Sequence, residues 1–235
     1  MLQVNGLDVH YGQAHVLQGV TLQLGVQPLA VIGRNGMGKT TLCQAIMGMV
    51  GATGGQISFD GSALRGLAPN RVARHGIALV PQGRRTFPSL TVHEHMVLAA
   101  RGRRGSWTIE RIYETFPRLA ERRRNGGTQL SGGEQQMLAI SRALLANPRL
   151  VIMDEPSEGL APVIVDHLVE VLRRLPGEGM ALLLVEQNLG VATDVCPEVA
   201  IMVNGRIAAR MPSAALLADE DAQRRFLGVS SGGQH

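Results

Sequence analysis

Gly33-Arg34-Asn35-Gly36-Met37-Gly38-Lys39-Thr40-Thr41 fits the pattern G-x-x-x-x-G-K-[ST], a loop whose backbone N–H groups wrap a chain of phosphates. Its flanks fit as well. Leu29 to Ile32 is a short apolar run that reads as a buried strand, and Thr40 to Met47 lacks breakers and reads as a helix. Strand, glycine loop and helix in that order aim N–H groups and a helix N-terminus at an anion. In such a loop Lys39 supplies a point charge to the β- and γ-phosphates, and the Thr40 hydroxyl is a ligand for Mg²⁺. A glycine-rich turn matching by chance is the alternative, so the rest of the chain has to decide.

At 235 residues with 45% apolar content, the chain is long enough for one large domain or a core with a lobe. The net charge of +4 is mild, and an Arg-rich solvated face accounts for it before nucleic acid or an anionic membrane does. Cys43 and Cys196 make no disulfide framework and lack metal-ligand spacing, which fits a reduced, cytosolic compartment. The N-terminus predicts no signal peptide. Tyr11 to Gly33 carries no Asp, Glu, Lys or Arg, yet its four Gln, its Pro28 and the alternation Val20, Leu22, Leu24 read as strand and not as a membrane span.

Leu2 to Val9 and Val16 to Leu24 predict an antiparallel pair with one solvated side. Tyr11 falls in the intervening turn, either as a packed aromatic or, with a phosphate loop about twenty residues on, as a platform for a base. Strands are predicted at Gln56 to Phe59 and at Ile77 to Val80, which Pro81 stops. Gln82 follows, where an amide can reach Mg²⁺ or an attacking water, although most glutamines there only satisfy a loop. From Gly83 to Gly127 the strands cease and helical segments appear around Val92 to Ala99 and Ile109 to Tyr113. Residues 101–124 hold eight Arg against three Glu. This predicts a helical lobe with a solvated Arg face. Aromatic interleaving is too thin to favour nucleic acid.

Leu130-Ser131-Gly132-Gly133-Glu134-Gln135-Gln136 opens a breaker-free helix to about Ala146. Ser131 and Glu134 have capping-box spacing, which needs no ligand. The two glycines cost conformational entropy and make sense where an anion must approach the backbone. Leu150 to Glu155 is an apolar strand ending in two carboxylates. Asp154 suits Mg²⁺ beside Thr40, and Glu155 suits the water that attacks a γ-phosphate; solvated acids capping a buried strand are the alternative. Pro162 predicts a helix start, Met180 to Val185 a further strand before Glu186-Gln187-Asn188, and Asn204-Gly205 a hairpin turn. Ser230 to His235 reads as a frayed tail.

Taken together these residues resemble the nucleotide-binding subunit of ABC transporters. Gly33 to Thr40 resembles its Walker A, Gln82 its Q-loop, Leu130 to Gln135 its LSGGQ-type signature and Val151 to Glu155 its Walker B. Ser157 to Leu160 stands at the D-loop position and Tyr11 at the adenine-stacking position. The runs Pro81-Gln-Gly-Arg-Arg-Thr-Phe-Pro88, Glu155-Pro-Ser-Glu-Gly-Leu-Ala-Pro162 and Val185-Glu-Gln-Asn188 are similar to the LivF-type ATPases of branched-chain amino acid importers. Glu158-Gly159 also resembles the urea-type version.

The resemblance implies an α/β fold: a RecA-like P-loop ATPase core (1–82 and 147–235) with an N-terminal antiparallel β subdomain and an inserted helical subdomain (83–146). It implies ATP and Mg²⁺, with Tyr11, Gly33, Asn35, Gly36, Gly38, Lys39, Thr40, Thr41 and Gln82 on the nucleotide. Thr40, Gln82 and Asp154 would hold the metal, and Glu155 and Gln187 would be catalytic. Ser131, Gly132, Gly133 and Glu134 would meet the ATP of a partner subunit. The family usually has His where Gln187 stands, and glutamine can bond a phosphate but cannot become cationic. The implied partners are a second ATPase (a different, LivG-type subunit or a second copy), membrane permease subunits gripped by the helical lobe and, indirectly, a periplasmic or surface solute-binding protein. The implied place is the cytoplasmic face of the inner membrane. A soluble ABC ATPase acting on nucleic acid or the ribosome is the competing reading, with the Arg-rich lobe as its only support. A subunit that binds ATP without hydrolysing it is a third, opposed by Lys39, Asp154 and Glu155.

Overall fold

Two sheets organise the chain in the computed structural model, which describes residues 1–83 and 86–228. The expected tail at 230–235 and the Arg84-Arg85 part of the 81–88 run lie outside the described residues. The first sheet is antiparallel, in the order β2-β1-β4-β5: β1 is Leu2–Tyr11, β2 Ala14–Leu24, β4 Gly54–Phe59 and β5 Ser62–Ala63. Along β1 the residues Leu2, Val4, Leu7 and Val9 are buried while their neighbours face outward. This is the alternation of a sheet with one wet side.

The second sheet runs β10-β9-β3-β8-β7-β6, with β3 Leu29–Ile32, β6 Ile77–Val80, β7 Leu150–Asp154, β8 Ala181–Glu186, β9 Glu198–Val203 and β10 Arg206–Pro212. Every pairing from β9 to β6 is parallel, and only β10 is antiparallel. Successive residues of the central strands face two different cores. Ala30, Ile32, Val151, Met153, Leu182 and Leu184 belong to one, and Leu29, Val31, Leu150, Ile152, Leu183 and Val185 to the other. Burial on both faces is why these runs are apolar at every position instead of every second one. Each such side chain contributes roughly 1.5–3 kcal/mol of transfer free energy.

Helix α1 (Lys39–Ile46) lies on the second of these faces, and its Leu42, Cys43, Ala45 and Ile46 fill the layer between the two sheets. The other face carries α3 (Val92–Ala100), α4 (Ile109–Thr115), α5 (Pro117–Glu121), α6 (Gly132–Leu144), α7 (Pro162–Arg174) and α8 (Leu189–Val195). Short helices α2 (Pro69–Arg74), α9 (Ser213–Ala218) and α10 (Glu220–Ala222) complete the set of described α-helices. The hairpin expected at Asn204-Gly205 forms, with φ of 45° and 74° at the two residues, the left-handed pair a two-residue turn needs.

One expectation needs correction. Tyr11 is not in the β1–β2 turn, which Gly12 and Gln13 form; it is the last residue of β1, paired with Ala14. Strand pairing continues until glycine breaks it.

Candidate nucleotide site

Strands β3, β7 and β8 run parallel and end on the same side of the sheet, where open α/β sheets bind ligands. After Ile32 the chain passes close against the end of β9 at Gly33, where a Cβ would lie 2.5 Å from the Met202 carbonyl oxygen. Gly38 caps α1 with φ of 100°, and a Cβ there would lie 2.9 Å from a Leu17 methyl. Side chains are excluded on that side, and the loop passes without a Cβ at either glycine. The β9–β10 turn clamps the loop, since Gly205 N donates to Met37 O at 3.0 Å and Asn204 N to Met37 Sδ at 3.2 Å.

A cavity of about 270 Å³ lies over this loop, lined by Asn35, Gly36, Gly38, Lys39, Thr40, Thr41, Gln82 and Glu155 with Val16. Lys39 is 3% exposed. Its Nζ donates to Gly33 O at 2.7 Å and Arg34 O at 3.0 Å and pairs with Glu155 Oε1 at 3.0 Å. Thr40 Oγ1 donates to Asp154 Oδ1 at 3.3 Å. Gln82 Nε2 is shared between Glu155 Oε2 at 3.2 Å and Glu158 Oε2 at 2.8 Å. Residues from three separated stretches thus converge at the ends of β3, β6 and β7.

The electrostatics favour a cation. Burial pushes the Asp154 carboxyl up to about 6, although the Thr40 hydrogen bond pulls the other way, and the charges of Glu155 and Glu186 add to the rise. Asp154, Glu155 and Glu186 are all buried, and of the three Glu155 is the one paired with the Lys39 ammonium. Among the described residues no cluster of three or more His, Cys, Asp or Glu forms a metal cage. A hydroxyl and a single carboxylate instead suit Mg²⁺, which keeps waters and takes phosphate oxygens as its other ligands. The residues fit that ion.

Glu155 has φ of +49°, a left-handed backbone that costs a non-glycine residue on the order of 1–3 kcal/mol. The bend ends β7, and Glu155 N is held by Val185 O at 2.8 Å. Gln187 is exposed and shares a second cavity, of about 570 Å³, with Glu155, Ser157 and Glu158. Tyr11 is 47% exposed, donates from its hydroxyl to Gln44 Oε1 at 3.3 Å and does not line the phosphate-loop cavity.

The glycine-rich segment at 131–134 stands apart. Ser131 is the N-cap of α6 in a full capping box: its hydroxyl accepts from Glu134 N at 3.3 Å, and Ser131 N donates to Glu134 Oε2 at 2.8 Å. Gly132 and Gly133 form the first turn of that helix. Ser131, Gly133 and Glu134 line a groove with Phe116, Ile164 and His167, and no residue of the phosphate loop reaches it. Cys43 and Cys196 are buried and free. Burial raises the Cys43 thiol well above its usual range and Cys196 to about 12, so neither is a nucleophile at neutral pH.

The family model described as ABC transporter matches residues 17–158, from β2 through the phosphate loop, the glycine-rich helix and the paired carboxylates. The chain belongs to the ABC transporter family. It is an ATP-binding ABC protein, an ATPase whose hydrolysis is coupled to transport. It is 37% identical over 237 residues to BraG of Pseudomonas aeruginosa, a high-affinity branched-chain amino acid transport ATP-binding protein, covering 97% of this chain and 100% of BraG. A probable branched-chain amino acid transport ATP-binding protein, LivF of Archaeoglobus fulgidus, is 32% identical over 97% of this chain and 99% of its own. The lipopolysaccharide export ATP-binding protein LptB of Haemophilus influenzae is 30% identical, with 97% of each chain covered. Among solved structures, a nucleotide-free ATP-binding cassette from an ABC transporter superposes with a TM-score of 0.84 over 98% of this chain and 99% of that one, at 23% identity. The α/β fold with one antiparallel and one mainly parallel sheet is thus the ABC ATPase fold.

Two acidic residues of this ABC ATPase gave little sign of themselves in the sequence. Glu158 fixes Gln82 at 2.8 Å. Glu186 is 1% exposed and accepts three backbone hydrogen bonds. The one available signal for Glu186 was a charge closing an otherwise apolar strand.

Proposed function

We propose that this protein is the ATP-hydrolysing motor subunit of an ABC importer for branched-chain amino acids, working as one half of an ATPase dimer. The observation that supports it best is the separation of the two glycine-rich segments. The phosphate loop, Gln82 and Glu155 share one cavity, with Asp154 behind Thr40, whereas Ser131 and Gly133 line another. Each chain then offers two half-sites, and a second ATPase, a copy or a different LivG-type subunit, completes both. A solved ABC cassette described as dimeric has the same fold.

In this reading the Lys39 ammonium leaves Glu155 for the β- and γ-phosphates of ATP, and Tyr11 stacks on the base. Thr40, Asp154 and Gln82 would hold Mg²⁺, which when bound would neutralise charge developing on the transferred phosphoryl group. Glu155 accepts a proton from the water whose oxygen attacks the γ-phosphorus while the bond to the bridging oxygen breaks. Gln187 hydrogen-bonds the γ-phosphate without supplying charge. Ser131 to Glu134 of the partner close over the same phosphate, so that ATP holds the dimer shut and hydrolysis releases it.

The lobe at 83–146 is proposed to seat a cytoplasmic helix of the permease. A groove of about 470 Å³ runs between it and the core, lined by Met49, Phe87, Leu98, Arg103 and Arg142 among others; Met49 and Phe87 are each 47% exposed and Leu98 54%. Among the described residues no helix is long and apolar enough to cross a membrane, in keeping with a peripheral subunit at the cytoplasmic face. Solute would be chosen by the permease and an external binding protein.

Reconstitution in proteoliposomes with the membrane subunits that copurify with this protein tests the substrate class. ATP-driven uptake of labelled leucine supports the reading. Uptake of urea with none of leucine moves it to the amide-type importers that Glu158-Gly159 resembles, and extraction of lipopolysaccharide contradicts it.

A further inference from the structure

Glu186 is the last residue of β8 and one of the most deeply buried charged groups in the molecule, 1% exposed. Its carboxylate is directed away from the phosphate loop, toward Ser157, Gln187 and Asn188. It is spent on the two adjoining loops. Oε1 accepts from Ser157 N at 3.0 Å, and Oε2 accepts from Gln187 N at 3.1 Å and Asn188 N at 3.2 Å. The donors come from two different loops. Ser157 lies two residues beyond Glu155, and Gln187 and Asn188 open the loop after β8.

Burying a carboxylate is costly unless hydrogen bonds offset it, and burial here does push the Glu186 carboxyl up, against the bonds from Ser157, Asn188 and Gln187. A chain seeking only stability would end β8 with an apolar or amide residue. What the carboxylate provides that those do not is two acceptor oxygens in one plane with no donor of their own, able to fix two loops relative to each other. The outer part of the Ser157 loop is itself anchored, since Leu160 N bonds Ser157 O at 3.2 Å. Asn188 caps α8 by accepting from Val191 N at 3.2 Å. A displacement of either loop is therefore carried through Glu186 to the other.

We propose that Glu186 is a positioning residue for ATP hydrolysis: it locks the Ser157–Leu160 loop to the Gln187–Asn188 loop, so that Glu155 and Gln187 address the same γ-phosphate. Gln187, lacking a charge to attract the phosphate, depends on placement, and Glu186 supplies it. The proposal rests on the nucleotide-site reading above and names a residue that reading does not use.

The test compares wild type with Glu186→Ala, Glu186→Gln and, as control, Glu155→Gln. ATP affinity is measured with a fluorescent ATP analogue, turnover by phosphate release, and loop protection by hydrogen–deuterium exchange. Misplacement of about 1 Å can lower a rate about a hundredfold, and Glu186→Ala is expected to lose turnover on that scale while the analogue binds within about twofold of wild type. Glu186→Gln, which keeps one oxygen acceptor, is expected to recover part of it. In both variants peptides spanning 155–160 and 186–190 should exchange faster, with the 33–41 loop unchanged. Where Glu186→Ala fails to fold, Glu186→Gln carries the same three readouts. Wild-type turnover in a folded Glu186 variant, unchanged exchange in the two loops, or loss of binding in step with turnover overturns the proposal. Normal hydrolysis by Glu155→Gln overturns instead the site reading on which it stands.

Discussion

Lys39 Nζ lies 3.0 Å from Glu155 Oε1, and the two side chains are 3% and 7% exposed. The proposed phosphate-binding cation and the proposed base are thus each other's counter-ion, and ATP has to separate them. Removing one member of a buried pair strands the other charge, at a cost of about 3–5 kcal/mol. Lys39→Met should therefore lower both ATP binding and the melting temperature. The double variant Lys39→Met/Glu155→Gln should recover most of the thermal stability while remaining inactive. A thermal melt of the three proteins checks this; equal melting temperatures for Lys39→Met and the double variant contradict it.

Asp154 gives a pH signature. Its folded-state value of about 6 lies above the ordinary 3.8, so the folded protein holds the proton more tightly than the unfolded chain. Stability from this group is greatest when it is protonated and falls as pH rises between those two values. Above pH 6 the penalty approaches about 3 kcal/mol. Asp154→Asn should melt several degrees higher than wild type at pH 7.5 in the absence of Mg²⁺, at about 2–4 °C per kcal/mol for a chain of this size. The gap should narrow at pH 5. The same variant should hydrolyse no ATP.

Ser131 has two separable duties. As an N-cap it is worth about 1 kcal/mol, and aspartate caps equally well. Ser131→Asp should then keep the melting temperature of wild type within a few degrees, yet lose hydrolysis and ATP-dependent dimer formation by placing a negative charge against the partner's γ-phosphate. Retained hydrolysis in this variant would mean that the segment is a helix cap and nothing more.

Gln187 cannot titrate, so turnover should not show an ionisation from this position. Gln187→His should introduce one near pH 6.5, the ordinary imidazole value, and Gln187→Ala should lower turnover by about tenfold, the loss of roughly one hydrogen bond to a charged group. Rate profiles between pH 5.5 and 8.5 measure both effects.

The apolar groove offers a test away from the chemistry. Leu98 is 54% exposed and lines it. Leu98→Asp should leave hydrolysis by the isolated ATPase unchanged and abolish copurification with the permease. Copurification at wild-type yield would remove the groove from the account.

The glycine loop was legible because its residues are dictated locally: Gly33 and Gly38 are needed where backbone passes within van der Waals contact of Met202 and Leu17. The strands were legible for a related reason, since burial on both faces leaves no polar position to obscure the run. The order β10-β9-β3-β8-β7-β6 was not, because no periodicity records which strand lies beside which. Tyr11 was misplaced because the apolar pattern stops at Val9 with Gly12 close behind, which ended the strand two residues early. Helices α5 and α8 were missed, being five and seven residues long and held by packing more than by propensity. Glu158 and Glu186 were missed as partners because their meaning lies in contacts 76 and 29 residues away in sequence. The Arg-rich stretch behaves as its solvated reading expects: Arg101, Arg103, Arg104, Arg122, Arg123 and Arg124 are exposed, Arg118 pairs with Glu121, and Arg111 pairs with Glu178.

The most direct test of a composite site closed by ATP is a pair of measurements on one variant. Glu155→Gln and wild type are assayed for ATP hydrolysis and run on a sizing column with and without ATP and Mg²⁺, alone and with the cognate second ATPase. The account predicts that Glu155→Gln loses turnover and elutes as a dimer only when ATP is present. A variant that hydrolyses ATP at the wild-type rate, or that remains monomeric with ATP and every partner supplied, contradicts it.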